Sequence, residues 1–279
     1  MVNAVKRAKR SIDIVIFRFD RPELEKALEA AVARGIRVRA LIAHTNRGGE
    51  KSLRKLELSL LEAGVTVSRT ADDLPRYHGK MMIVDDRLYV FGFNYTKLDI
   101  ERSRSFGIAT RDKRLVKEAT ALFEADDTRQ PYAPGCDRLV VSPETSRRLL
   151  TEFIKRAKKQ LLIYDEKVTD NQIQRAIQDR VKAGVTVRVI GKIEKNLDGV
   201  RSRTLADLRL HVRAMVRDGS DAFVGSQSLR KLELDGRREI GIIVHDMRIA
   251  RKIQAVFEDD WRRSGKTAAK EAQAPRARA

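Results

Sequence analysis

The sequence predicts an α/β protein built as a tandem duplication, two halves of one design in a single chain, and three observations carry this. Val5-Lys-Arg-Ala-Lys-Arg-Ser-Ile-Asp-Ile14 matches Ile154-Lys-Arg-Ala-Lys-Lys-Gln-Leu-Leu-Ile163, and Val32-Ala-Arg-Gly-Ile-Arg-Val-Arg39 matches Val181-Lys-Ala-Gly-Val-Thr-Val-Arg188, both at one common offset. Leu122-Phe-Glu-Ala-Asp-Asp127 matches Val256-Phe-Glu-Asp-Asp-Trp261 at a smaller offset, so the second half has lost a segment between these anchors. Within each half, β-branched runs of strand length alternate with amphipathic segments of helical period, the pattern of helices layered on a buried sheet.

In chain order, Ser11 to Phe19 reads as a strand. Asp20 is the expected N-cap of a helix with Pro22 in its first turn, whose Leu24, Leu28, Ala31 and Val32 recur at helical spacing until Gly35. Ile36 to Ala43 is the next strand and Glu50 to Ala63 a helix. Val65 to Ser68 and Met81 to Phe91 are strand-like, and Arg114 to Ala125 closes the half. Pro131, Pro134 and Gly135 break the period between residues 128 and 137, which reads as the linker. The expected organisation is therefore residues 1–127, linker 128–137, residues 138–262, and a basic, disordered tail over 263–279. Leu139-Val-Val141 and the helix that starts near Pro143 precede the Leu161 strand, whereas Ser11 has only ten residues before it. The first half is expected to lack its opening strand, and a longer precursor with that strand upstream follows as an expectation.

The chain has 279 residues, 42% of them hydrophobic and 35% charged, which excludes wholesale disorder. No apolar run approaches the roughly 18–20 residues of a membrane helix; even Ile12 to Phe19 contains Asp13 and Arg18. No signal peptide is visible, and the compartment stays open between cytoplasmic and exported. A formal charge of +19 favours an anionic partner: a phospholipid, a nucleic acid, or a peripheral membrane surface. The single cysteine, Cys136, rules out an intrachain disulfide and a multi-thiolate zinc site. Aromatic residues, at 5%, are too sparse to suggest stacking platforms for single strands.

Two of the four histidines occupy equivalent places. His78-Gly-Lys80-Met-Met-Ile-Val-Asp85 is followed after six residues by Gly92-Phe-Asn94, and His211-Val-Arg213-Ala-Met-Val-Arg-Asp218 is followed, at the same spacing, by Gly225-Ser226-Gln-Ser228. Residues i and i+2 of a strand share a face, which sets each imidazole beside a cation. Asp85 and Asp218 then fall at turns. Two imidazoles with Lys80, Arg213 and Asn94 offer donors for a tetrahedral anion and two groups that move protons near neutral pH. His44 and His245, each at a strand end, read as ordinary surface or core residues.

At these residues the sequence resembles the phospholipase D superfamily, whose motif is His-x-Lys-(x)4-Asp followed by Gly-Ser-x-Asn and, further on, a Glu. The resemblance runs from about residue 5 to 261. It implies two α/β/α sandwich halves related by a pseudo-twofold axis, one site at their interface, and phosphodiester cleavage or exchange through a phosphohistidine without metal or cofactor. It further implies a monomer whose halves together form that site. Carried onto this chain, the catalytic set is His78, Lys80, Asp85, His211, Arg213 and Asp218, the substrate-binding set Asn94, Ser226 and Ser228, and the orienting carboxylate Glu239. The first half lacks the Ser after Gly92 and has Ser105 where the second has Glu239, so its acidic partner is expected to be absent. The second half has Arg213 for Lys and Ser228 for Asn. The family pattern makes the first-motif histidine, His78, the nucleophile and His211 the general acid and base, while Glu239 is expected beside His211. Three functions follow: a phosphodiesterase or phosphatidyltransferase on a phospholipid, the same chemistry on DNA or RNA, or a phosphate- or polyanion-binding protein that no longer turns over. Loops such as His44 to Lys51 and Glu194 to Arg203 are expected to choose the substrate.

Overall fold

In the first half, the helices and strands of the computed structural model are α1 (Val2–Lys6), β1 (Ser11–Ile16), α2 (Pro22–Ala33), β2 (Arg37–Ile42), α3 (Glu50–Glu62), β3 (Thr66–Arg69), β4 (Met81–Val84), β5 (Arg87–Phe91), α4 (Lys97–Glu101), β6 (Ser103–Arg104), β7 (Gly107–Thr110) and α5 (Lys113–Asp127). The second half has β8 (Leu139–Val141), α6 (Ser146–Lys155), β9 (Gln160–Val168), α7 (Asn171–Lys182), β10 (Thr186–Ile193), β11 (Arg201–Arg203), β12 (Arg209–Leu210), β13 (Arg213–Arg217), β14 (Asp221–Gly225), α8 (Lys231–Asp235), β15 (Ile240–Val244) and α9 (Met247–Gln273). The structure describes residues 1–44, 50–194 and 197–273, without the side chains of 50–52 and 265–273, so the expected substrate-choosing loops lie partly outside it.

Each half has one mixed sheet, ordered β3-β2-β1-β4-β5-β7 in the first and β11-β10-β9-β13-β14-β15-β8 in the second. Parallel pairing of β1 with β2 and β2 with β3 is repeated by β9 with β10 and β10 with β11, as the α/β crossovers require. Hairpins β4–β5 and β13–β14 add the antiparallel strands. One apolar core lies under α1–α3 and another under α6 and α7, while a third joins Leu88, Val90 and Leu122 to Val224, Ile240 and Phe257 across the two halves. The halves thus share a packed interior, the pseudo-twofold sandwich that the family resemblance implies.

The matched segments hold equivalent ion pairs. Arg39 and Arg188, at one repeat position, grip Glu124 and Glu258 of the closing helices. Arg104 reaches across to Asp260 on α9 at 2.7 Å, and its counterpart Arg238 reaches back to Asp126 on α5 at 3.0 Å. The segment lost from the second half falls where the first half has α3; among the described residues no helix separates β10 from β11.

Several local expectations need correction. Asp20 does not cap α2; its carboxylate accepts the Lys97 N–H at 2.7 Å, and Arg21 stands at the N-cap. The N-terminal residues form α1, the shortened counterpart of α6. α9 continues to Gln273, so residues 263–273 are helical rather than a disordered tail; 274–279 lie outside the described residues. Asp13, which interrupts the apolar run of β1, is buried against Arg39 at 2.7 Å.

Candidate active site

The segment Tyr77–Lys80 enters the core just before β4 and forms a bridge with the other half: Tyr77 pairs with Arg238, and the His78 N–H donates to the Arg238 carbonyl at 2.7 Å. That pairing sets His78 beside Glu239. His78 Nδ1 lies 2.8 Å from Glu239 Oε2, with the carboxylate fully buried and the imidazole 13% exposed. Gly79 is required by this approach, since a Cβ there would stand 2.5 Å from Ile240 Cδ1. The Phe17 ring meets the imidazole edge-on at 4.5 Å.

His211 is placed by the reciprocal contact. β12 pairs with β6 of the first half, Arg209 Nη1 binds Asp99 Oδ1 at 2.7 Å, and His211 Nδ1 stands 3.3 Å from Asp99 Oδ2. Each imidazole therefore faces a carboxylate from the opposite half. This overturns two expectations: Glu239 serves His78, not His211, and the second acidic partner is present as Asp99 on α4. Ser105, where the family has its Glu, donates to the Asp99 carbonyl at 3.2 Å.

Lys80 Nζ lies 2.8 Å from His78 Nε2, as the shared-face argument expects. Asn94 donates to Asp99 through both its main-chain N–H and its side-chain amide, at 2.9 and 2.7 Å, and so acts first as the support of that carboxylate. Ser226 exchanges hydrogen bonds with the main chain of Ile240, next to Glu239. Ser228 points elsewhere, its hydroxyl on the buried Asp165 at 2.5 Å, and is not brought to the histidines. Arg213 is buried with one arm 3.2 Å from the exposed Glu166.

Asp85 and Asp218 are not in the site. They end β4 and β13 at the far end from the histidines, both in the left-handed conformation at φ 53°. Asp85 accepts the N–H groups of Lys9, Arg10 and Ser11, and Asp218 those of Lys158, Lys159 and Gln160. These are the repeated basic segments, so the two aspartates tie each hairpin to the start of the central strand. Backbone N–H bonds outweigh burial and hold both carboxyls below their ordinary values.

The site itself is electropositive and poorly solvated. Burial, then Lys80 and Arg213, hold His78 well below 6.5. His211 is likewise lowered, by burial and then Arg213, against the pull of Asp99. Burial also pushes Lys80 down to about 7. The carboxylates diverge. Burial raises Glu239, whereas at Asp99 the charges of His211 and Arg209 and the Asn94 donors outweigh burial and lower it. The charges of Lys80 and Arg213 are felt at both imidazoles, which therefore share one electrostatic environment. Asn94 Oδ1, His211 Nδ1, Arg213 Nε and Glu239 Oε1 are buried here without a hydrogen bond, so that His211 stands at ion-pair distance from Asp99 without a bond to it, and the others are polar atoms left for a ligand or water. Among the described residues no three His, Cys, Asp or Glu side chains converge as metal ligands.

Sequence reasoning missed Asp99 and Phe17. Asp99 was findable only as the acidic residue in a capped turn after Asn94, with Thr96 accepting its N–H.

A family model described as "Cardiolipin synthase, PLD-like domain" matches residues 1–126 and 150–261. The human mitochondrial cardiolipin hydrolase is 31% identical over 127 residues, 44% of this chain and 48% of that protein. Polyphosphate kinase of Salmonella typhimurium is 26% identical over 228 residues, 71% of this chain and 33% of that protein. The chain thus spans about half of the one relative's length and a third of the other's. In structure it resembles polyphosphate kinase from Porphyromonas gingivalis, with a TM-score of 0.77 and 18% identity over 94% of this chain and 44% of that one. Phosphatidylserine synthase from Haemophilus influenzae superposes with a TM-score of 0.68 and 11% identity over 94% of this chain and 83% of that one. With the fold, the duplicated histidines and the family model in agreement over both halves, the chain belongs to the phospholipase D superfamily.

Proposed function

We propose that the chain is a metal-independent phosphodiesterase or phosphatidyltransferase that works through a phosphohistidine, with a phospholipid as substrate and one monomer supplying the whole site. The observation that carries this reading is the pair of imidazoles, each backed by a carboxylate from the opposite half.

The Glu239 carboxylate fixes the His78 proton on Nδ1 and leaves the Nε2 lone pair in the site. In the resting site Lys80 donates to that lone pair. A phosphodiester oxygen draws Lys80 away, and Arg213 neutralises the other non-bridging oxygen. Nε2 attacks phosphorus, the bond to the leaving oxygen breaks, and His211 gives its proton to that oxygen. The bound phosphate's negative charge favours the protonated His211 that this step needs. Neutral His211 then takes a proton from water or an acceptor alcohol, whose oxygen attacks phosphorus and frees Nε2. Hydrolysis and transfer differ only in the acceptor.

Arg213 in place of lysine keeps a permanent charge and a planar fork, which supports phosphate binding. A phospholipid is favoured over nucleic acid by the names of the relatives, which include cardiolipin hydrolase and phosphatidylserine synthase, and by the scarcity of aromatic residues for stacking. Turnover should be measured in EDTA with wild type and His78→Asn on a phospholipid panel, DNA and polyphosphate side by side. Wild-type turnover of phospholipid alone, lost in His78→Asn, supports the reading. Strand cleavage would move the activity to nucleic acid, and no turnover of any substrate by a folded wild type would leave a binding protein.

A further inference from the structure

Two short helices stand at equivalent places beside the two histidines and carry matching sequences. α4 reads Lys97-Leu98-Asp99-Ile100-Glu101 and α8 reads Lys231-Leu232-Glu233-Leu234-Asp235, at the offset that also relates Leu122 to Val256 on the closing helices. In each, the acidic residue after the leucine turns inward. Asp99 pairs with His211, while Glu233 holds Arg237, whose charge is felt at His78. The leucine before it turns outward: Leu98 is 49% and Leu232 46% exposed, and Ile100 adds a third side chain at 38%. Of the six large hydrophobic side chains exposed among the described residues, three lie on these two turns.

Single exposed leucines are ordinary. A leucine repeated in both halves of a pseudo-twofold molecule is a different observation, because one sits beside the carboxylate that faces His211 and the other beside a buried carboxylate that holds Arg237. The carboxylates that end these helices, Glu101 and Asp235, are exposed but paired with Arg21 and Arg147, so the unpaired flanking charge among the described residues is basic. Lys97, Arg102 and Lys231 are exposed and form no ion pair among the described residues, and Arg209 stands on the same rim. Apolar side chains ringed by lysine and arginine match an anionic lipid interface, in which leucines enter the acyl boundary and the cations meet the headgroups.

We propose that α4 and α8 are paired docking lips that seat the site on an anionic lipid bilayer, with Leu98, Ile100 and Leu232 inserted and Lys97, Arg102 and Lys231 on the headgroups. The proposal rests on the phospholipid reading of the site and adds that substrate is taken from the bilayer surface. Both leucine side chains turn away from the carboxylates beside them, so docking and chemistry separate under substitution.

The test is co-sedimentation of the full chain with large unilamellar vesicles of phosphatidylcholine, alone or mixed with phosphatidylglycerol, for wild type and Leu98→Gln/Leu232→Gln, which changes apolar area and not charge. Binding by wild type to the anionic vesicles only, weakened by salt and by at least about tenfold in the double variant, is expected. A Leu98→Trp reporter should shift its emission to the blue on the same vesicles. Equal binding by wild type and double variant, no preference for anionic vesicles, or a wild-type dimer that the double variant dissociates without lipid would overturn the proposal. Turnover of soluble bis(p-nitrophenyl) phosphate distinguishes the two readings. A wild type that docks without cleaving any diester loses the proposed chemistry alone, whereas one that cleaves the soluble diester and ignores vesicles loses the lips alone.

Discussion

Replacing Glu239 by glutamine separates catalysis from stability. The carboxylate is fully buried, lies 2.8 Å from His78 Nδ1, and has its acidity weakened by burial. Glutamine keeps the volume and removes the charge. When Nε2 bonds to phosphorus the imidazole becomes cationic, and a carboxylate centred about 4 Å away stabilises that cation by roughly 4 kcal/mol at an effective dielectric of about 20. Losing this raises the barrier by an amount worth about a thousandfold in rate, and glutamine's own dipole returns part of it, so kcat should fall by about 100- to 1000-fold. Stability should move the other way. The folded state raises the carboxyl's pKa, so its contribution is present below the unfolded value near 4.5 and is lost as pH rises through the folded value. At neutral pH the uncharged glutamine should leave Tm equal or higher. Steady-state turnover and a thermal melt on one preparation check both. A fall of less than tenfold in kcat, or a loss of activity that tracks a lower Tm, refutes the reasoning.

Other consequences follow from the same geometry. Asp85→Asn and Asp218→Asn should each cost about 1–3 kcal/mol by chemical denaturation with kcat within a few-fold of wild type, because each carboxylate collects three backbone N–H groups away from the site. Their lowered pKa values make that stability present above the unfolded value near 3.9 and lost as pH falls through the folded one, so the variants should converge on wild type in acid. With Lys80 at about 7 in the free protein, kcat/KM should decline as pH rises past neutrality, and Lys80→Arg should abolish that limb. Arg238→Met should strand the buried Asp126 and destabilise by about 3–5 kcal/mol in urea melts.

What was legible in the sequence was the architecture, because duplication writes it twice. Repeat anchors at fixed offsets located both sheets, and the equivalent His-x-cation segments identified the two imidazoles and their neighbours. The carboxylates were not legible. Glu239 follows His211 in the same half, so proximity in sequence assigned it there, whereas the Tyr77–Arg238 bridge carries it across the axis to His78. Asp99 was hidden because its counterpart Glu233 does different work, binding Arg230 and Arg237. Asp85 and Asp218 were legible as turn residues, but only the positions of the N–H groups of residues 9–11 and 158–160 reveal that their carboxylates bind main chain there and not in the site. Ser228 had the right place after Gly225, but Asp165 on β9, two strands away from β14 in the sheet, claims its hydroxyl.

With His78 Nε2 as the nucleophile and His211 as the group that moves the protons, an adduct should form on one histidine and depend on the other for its release. A p-nitrophenyl phosphodiester needs no acid for departure, so His211→Asn should still attack it but be slow to release the adduct. Intact mass of this variant after neutral quench, followed by peptide mapping, should show one phosphoryl adduct per chain on His78 and none in His78→Asn. An adduct on another residue, or one that persists in His78→Asn, would contradict the account.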